Sequence, residues 1–220
     1  MDRFAQARRM MVDGQVRPSD ITDSRVIDAF LAVPREQFVD ADRADLAYLD
    51  LDLAVGRPGE QRHLLKPMTL AKLIQAASIQ PSDTVLDVGC ATGYSSAILA
   101  QLAGQVVALE ESPALGETAK ANLAAFGVAN VTVRTGPLAR GSVGDGPFDA
   151  ILINGSVDFV PPELAAQLRQ GGRLVCVMRS GPGGKATLYL SDGHNISGRS
   201  IFDCTAPFLP SFGKDAVFAF

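Results

Sequence analysis

The stretch VLDVGCATGY, residues 85 to 94, runs from apolar residues into an acid, Asp87, and then into Gly89, Cys90, Ala91, Thr92, Gly93 and Tyr94. Glycine reaches backbone angles that other residues resist, and its missing side chain lets the main chain press against a ligand. A second acid, Glu110, closes the next apolar run, QVVALE, twenty-three positions after Asp87. That is the spacing at which a carboxylate reaches ribose hydroxyls. The chemistry on offer is therefore the holding of a nucleoside by bare backbone and one carboxylate, with neighbouring Glu111 in the same candidate set. The plainer alternatives are a solvated strand end for Glu110 and, for Asp87, a polar residue that fixes the loop.

Such a loop works only if rigid elements carry it. Short apolar runs, TVLDV, QVVALE, VTVRT, FDAILIN and RLVCVMR, alternate with helical patterns, which predicts a parallel sheet covered on both faces. The helices are a segment from about Tyr94 to Leu102, one capped by Ser112 with Pro113 at its first position and closed by Gly127, and one started by Pro161. After Arg179 the alternation ends. KATLYLS, RSIFD and AVFAF follow with no crossover helix between them, so they are expected to pair antiparallel. The expected fold is a doubly wound, mostly parallel seven-stranded α/β sheet with a C-terminal antiparallel hairpin and an N-terminal helical extension. Residues 1–80 form the extension and a site loop, and 81–220 form the ligand-binding α/β domain, in one compact unit.

Within the extension, Phe4, Met10, Met11 and Val16 recur at helical spacing up to Pro18. Val26, Ile27, Phe30 and Leu31 follow an Asp23 cap until Pro34, and Pro67 starts a helix with Leu70, Leu73, Ile74 and Ala77 on one stripe. Between them, residues 45–67 show little periodicity and read as an irregular loop. With 220 residues, 47% of them hydrophobic, there is material for one core. A net charge of −4 disfavours a broad nucleic-acid surface. No secretory signal or bilayer-spanning run is apparent, and a cytoplasmic protein is expected. Cys90, Cys176 and Cys204 are widely spaced, and His63 and His194 stand far apart, a poor basis for staples or a metal site.

Ala91 replaces the central glycine of a dinucleotide fingerprint, which disfavours a pyrophosphate. A ligand with one ribose and no phosphate, S-adenosylmethionine, fits better. At this point the chain resembles the class I methyltransferases and, within them, the protein-L-isoaspartate O-methyltransferase family. MVDGQVRPSDITDSRVIDAFLAVPREQFV, KPMTLAKL, VLDVGCATGYSSAILA, VVALEESPAL and PFDAILINGSVDFVPPELAAQLRQGGRLV carry the likeness nearly end to end. The resemblance implies S-adenosylmethionine as cofactor, S-adenosylhomocysteine as product, and methylation of an isoaspartyl carboxylate in protein repair. By the same resemblance Asp87, Gly89 and Gly93 shape the pocket, and Cys90, Ala91 and Tyr94 line the loop. Glu110 holds the ribose, and Asn154 and Gly155 border the methyl-transfer face.

The chain departs from the family pattern at three places. Leu65, in His63-Leu64-Leu65-Lys66-Pro67, replaces a serine placed near the substrate carboxyl. Gly136-Pro137-Leu138 replaces a Gly-Asp-Gly whose acid recognises the adenine amino group, and Ala91 replaces a glycine. Leucine can neither donate nor accept a hydrogen bond. A carboxylate acceptor is ionised at neutral pH and needs no base, in keeping with the scarcity of histidine. Arg57, Arg62, His63 and Lys66 could draw an anionic acceptor, either a protein or peptide or a small carboxylate, or could simply be solvated. The segment DCTAPFLPSFG, with Phe208, Leu209 and Phe212, and Phe202 just before it, could cover the cleft, close the sheet edge or support a homodimer. A family member that methylates another acceptor, or a non-catalytic ligand-binding protein on the same fold, is the competing reading.

Overall fold

The computed structural model describes residues 2–57, 59–181 and 183–213. Its centre is a sheet of seven strands in the order β5-β4-β3-β6-β7-β8-β9. Strands β3 (Thr84–Val88), β4 (Gln105–Glu110), β5 (Val131–Thr135), β6 (Phe148–Val157) and β7 (Leu168–Ser180) are parallel. Strands β8 (Gly183–Ser191) and β9 (Ile196–Cys204) continue the sheet antiparallel. Val85, Leu86, Val88, Ile151 and Ile153 are fully buried, as expected where both faces are covered. The run AVFAF lies outside the described residues.

Several helices begin where the sequence supplies a cap or a proline. Asp23 accepts from the Arg25 amide to open α2 (Ser24–Ala32), after α1 (Arg3–Met11). Pro67 occupies the first position of α3 (Pro67–Ala77), which buries the predicted stripe Leu70, Leu73, Ile74 and Ala77. Helix α4 (Tyr94–Ala100) ends a little before the expected Leu102. Helix α5 (Pro113–Phe126) has its Ser112 cap and stops at Gly127, φ +81°. The helix expected from Pro161 is a single turn, α6 (Pro162–Ala165), with Pro161 as its cap.

Two features of the extension differ from expectation. The first helical segment does not run unbroken to Pro18: after Met11 it widens into a π turn over Val12–Val16 and tightens into a 3₁₀ turn at Arg17–Ser19. The irregular loop contains a small antiparallel pair, β1 (Leu53–Val55) with β2 (Arg62–Leu64). Strands of three residues are too short to show alternation in sequence. This pair matters because it fixes the direction of Arg62 and His63. Buried Arg35 locks the same segment: its Nε donates to the Ala47 carbonyl at 2.8 Å and its Nη2 to the Leu65 carbonyl at 3.0 Å. Among the described residues no helix is long and apolar enough to cross a membrane.

Candidate functional site

Strand order reverses around β3, which has β4 on one side and β6 on the other. The crevice beyond the carboxyl ends of β3 and β6 is where a doubly wound sheet binds ligands. The loop leaving β3 turns there through three left-handed residues, Gly89 (φ +74°), Ala91 (φ +52°) and Gly93 (φ +95°). A side chain at Gly93 would have to push into Leu123 at 3.3 Å, so glycine is needed twice over, for its angle and for its fit against α5. Ala91 carries the strain its departure from glycine implied, about 1–2 kcal/mol for a left-handed L-residue.

Asp87 is the tie-rod of the loop. It is fully buried, and Oδ2 accepts from Ser95 Oγ at 2.7 Å and Ser96 Oγ at 2.5 Å, while Oδ1 accepts from Asn154 Nδ2. One carboxylate thus joins β3, α4 and β6. Burial pushes its pKa up to about 6; the three donors oppose the shift, and the charge of Glu110 adds to it. Asp87 is satisfied within the protein, in line with the plainer reading of its role. The serines that satisfy it follow Tyr94 directly and were missed in sequence, because small polar residues in a helix read equally well as surface.

Cys90 is buried, and desolvation, reinforced by Asp87 and Glu110, raises its thiol well above the ordinary range. It is an inert filler. Tyr94 is clasped by Phe30 and Phe38, with ring centroids at 6.3 and 5.7 Å, and by the Arg35 guanidinium at 4.7 Å. The extension therefore holds the first residue of α4 from below.

Glu110 stands where the sequence places it, and is fully buried. Its Oε1 accepts from Arg62 Nε at 3.0 Å and from the Glu111 and Ser112 amides at 2.9 and 3.0 Å; its Oε2 accepts from the Ala91 amide at 2.9 Å. A carboxylate offers about four acceptor positions. Three donors converge on one oxygen, so a ribose diol, which needs two acceptors, finds room for one at most. Arg62 Nη2 also reaches Glu111 Oε2 at 3.2 Å, and Ser211 Oγ donates to the same oxygen at 2.6 Å. Arg62, expected to face an anionic acceptor or solvent, does neither; β2 turns it inward because the buried acid at the end of β4 needs a counter-charge.

The remaining candidates surround the same crevice. Gly136 donates to the Glu110 carbonyl at 3.0 Å, and after Pro137 the chain turns Leu138 into an apolar cluster with Leu209 and Phe212. His63, Leu65, Gly89, Cys90, Tyr94 and Asn154 meet around a cavity of only about 10 Å³. His63 also lines an open groove of about 460 Å³ with Asp52, Gln61, Thr205, Pro207 and Phe208. Partial burial, with Arg43 nearby, lowers its pKa against the pull of Asp52. Lys66 reaches the edge of this groove through its backbone: its amide donates to Asp52 Oδ1 at 2.8 Å at the start of α3.

The cover over the crevice is the segment 205–213. Ser156 donates to the Pro207 carbonyl at 2.7 Å, Leu209 donates back to the Ser156 carbonyl at 3.0 Å, and Asp158 donates to the Phe212 carbonyl at 3.2 Å. A Cβ at Gly155 would stand 2.6 Å from Leu209 Cγ, and one at Gly89 3.7 Å from Leu209 Cδ1. Leu209 thus fills the space between the glycine loop and the end of β6. Of the roles the sequence left open for this segment, covering the cleft is the one its packing matches.

The loop, the β4 acid and the switch-point crevice make the frame of a nucleoside site. The family model for protein-L-isoaspartate(D-aspartate) O-methyltransferase matches residues 7–195. The chain belongs to this family. It is 41% identical over 187 residues to a protein-L-isoaspartate O-methyltransferase of Methylorubrum extorquens, covering 85% of this chain and 80% of the relative. It is 40% identical to one of Koribacter versatilis, covering 78% and 76%. A solved protein-L-isoaspartate O-methyltransferase superposes with a TM-score of 0.83 at 24% identity, covering 94% of this chain and 67% of that one. A Plasmodium falciparum structure in complex with S-adenosyl-L-homocysteine superposes with a TM-score of 0.75 at 17% identity, covering 94% and 99%. These two likenesses establish the class I methyltransferase fold.

For this member of the isoaspartate methyltransferase family, the fit to S-adenosylmethionine is a matter of conformation. The frame suits a nucleoside, but the enclosed space of about 10 Å³ is far below the roughly 300 Å³ at which small-molecule sites begin. Arg62 and Leu209 occupy the places a sugar and its neighbours would need. The crevice is thus closed around the place of the family's cofactor, S-adenosylmethionine, with open grooves of about 460 and 490 Å³ beside it at His63 and at Glu111.

Proposed function

We propose that the chain is an S-adenosylmethionine-dependent O-methyltransferase that esterifies the carboxylate of isoaspartyl residues in proteins or peptides, in the service of protein repair. The observation that supports the reading most is the left-handed loop Gly89–Gly93 set against Glu110 at the switch point, in a chain of this family. The acceptor side is the groove of about 460 Å³ beside His63. A carboxylate acceptor with a pKa near 4 arrives ionised, so no base is required of the groove. His63, favoured neutral by burial, serves as a wall and hydrogen-bonding group. Leu65 is buried and gives no hydroxyl to the acceptor. Residues 1–80 supply the acceptor wall and 81–220 the cofactor frame. The protein would act in the cytoplasm.

The test is methyl incorporation from radiolabelled S-adenosylmethionine into an isoaspartyl peptide and its aspartyl counterpart. Base-labile label in the first alone is the expected result; no label in either rejects the activity.

A further inference from the structure

We propose that the crevice is latched from within: Arg62 on the Glu110 carboxylate and Leu209 on the glycine loop form a resting plug that cofactor entry must displace. The inference rests on the methyltransferase reading above and adds a control step to its site. Both parts of the plug take up what a nucleoside would use. Arg62 takes the one acceptor position of Glu110 that is not filled by a backbone amide, and Leu209 covers the bare backbone of Gly89.

The two parts are also joined to one another. Arg62 binds Glu111, Glu111 accepts from Ser211, and Ser211 lies two residues beyond Leu209 in the same strap. Outside this bridge stands an open groove of about 490 Å³ bordered by Glu60, Arg62, Glu111 and Pro210, so Arg62 has water to swing into. Among the described residues the strap's backbone is held to β6 and the residue after it by the Ser156, Leu209 and Asp158 amides; lifting it breaks these and the Ser211–Glu111 bond and draws Leu209 and Phe212 out of their apolar cluster. A ligand hydroxyl offered to Glu110 replaces the donor that Arg62 withdraws, which keeps the buried acid satisfied throughout.

The full chain and the variants Arg62→Gln and Leu209→Ala are titrated with S-adenosylhomocysteine by calorimetry, and amide hydrogen exchange is followed at Ser156 and Leu209 with and without saturating ligand. The latch predicts that ligand speeds exchange at the Leu209 amide, and that Arg62→Gln binds about tenfold tighter than the parent, a difference of ~1.4 kcal/mol. Unchanged protection at Leu209 in the saturated protein, or equal affinity of parent and Arg62→Gln, overturns the latch while leaving the methyltransferase reading intact. Absence of binding to all three proteins, including Leu209→Ala with its plug shortened, overturns the cofactor reading and the latch with it. The exchange measurement on the parent protein decides even where a variant fails to fold.

Discussion

Arg62 Nε lies 3.0 Å from Glu110 Oε1 although 48 positions separate them, and the two side chains are 7% and 0% exposed. A buried pair of this kind contributes little net stability, because desolvation offsets attraction, but removing one partner strands a charge. Because Arg62 borders open space and Glu110 does not, it is Arg62→Leu that strands the buried charge, and it is expected to lower unfolding free energy by about 3–5 kcal/mol. The double change Arg62→Leu, Glu110→Leu should cost clearly less than its two single changes combined. Urea unfolding of the four proteins makes the cycle; agreement with simple additivity within about 0.5 kcal/mol would mean the pair is not coupled.

Asp87 gives a pH signature. Its pKa is raised to about 6 in the fold, from about 3.9 in an unfolded chain. The folded protein thus holds this proton more tightly than the unfolded one. The stability Asp87 contributes is full below pH 4 and is lost as pH climbs through 6, about 3 kcal/mol over the whole window. Asn at this position can still accept from Asn154 and donate to a serine hydroxyl. The stability difference between parent and Asp87→Asn should accordingly shift against the parent from pH 4 to pH 7. A difference that stays flat across that range would place the Asp87 pKa back in the normal carboxylate region.

Much of this site was legible in the sequence where the determinants are local. The glycines, the strand-ending acids and the Ser112 and Gly127 caps each write their consequence within a few residues. What stayed hidden depends on partners far along the chain. Arg62 looked like one of several basic loop residues because its partner lies on another element, and β2, the strand that aims it, is three residues long. The strap residues Leu209 and Phe212 read as apolar cover, yet only the tertiary fold sets Leu209 against Gly89 and Gly155 and gathers both into the Leu138 cluster.

Ala91 offers a local test of backbone strain. Its φ of +52° costs an alanine about 1–2 kcal/mol, while glycine there adds about 0.4–1 kcal/mol of unfolded-state entropy. Ala91→Gly should come out stabilised by roughly 0.5 kcal/mol, a rise in melting temperature of about 1–2 °C for a domain of this size. Gly89→Ala should act in the opposite sense, because it places a methyl at a left-handed position that faces Leu138 and Leu209. Calorimetric melts of the two variants that move in the same direction would contradict this account of the loop.

His63 stands at the wall shared by the inner cavity and the acceptor groove, and its pKa is lowered chiefly by burial. Folding therefore favours the neutral ring: the stability it contributes is present above the unfolded value of about 6.5 and is lost as pH falls below it. Its ring protons should titrate below 6.5 in an NMR series, with His63→Gln identifying the resonance. The same protonation bears on turnover. Acidification through the His63 pKa puts a positive charge beside an anionic acceptor, so the KM for an isoaspartyl peptide should fall as the ring charges, while the His63→Gln enzyme shows no such drop. Identical pH profiles of KM in the two proteins would show that the acceptor carboxylate does not sit against His63.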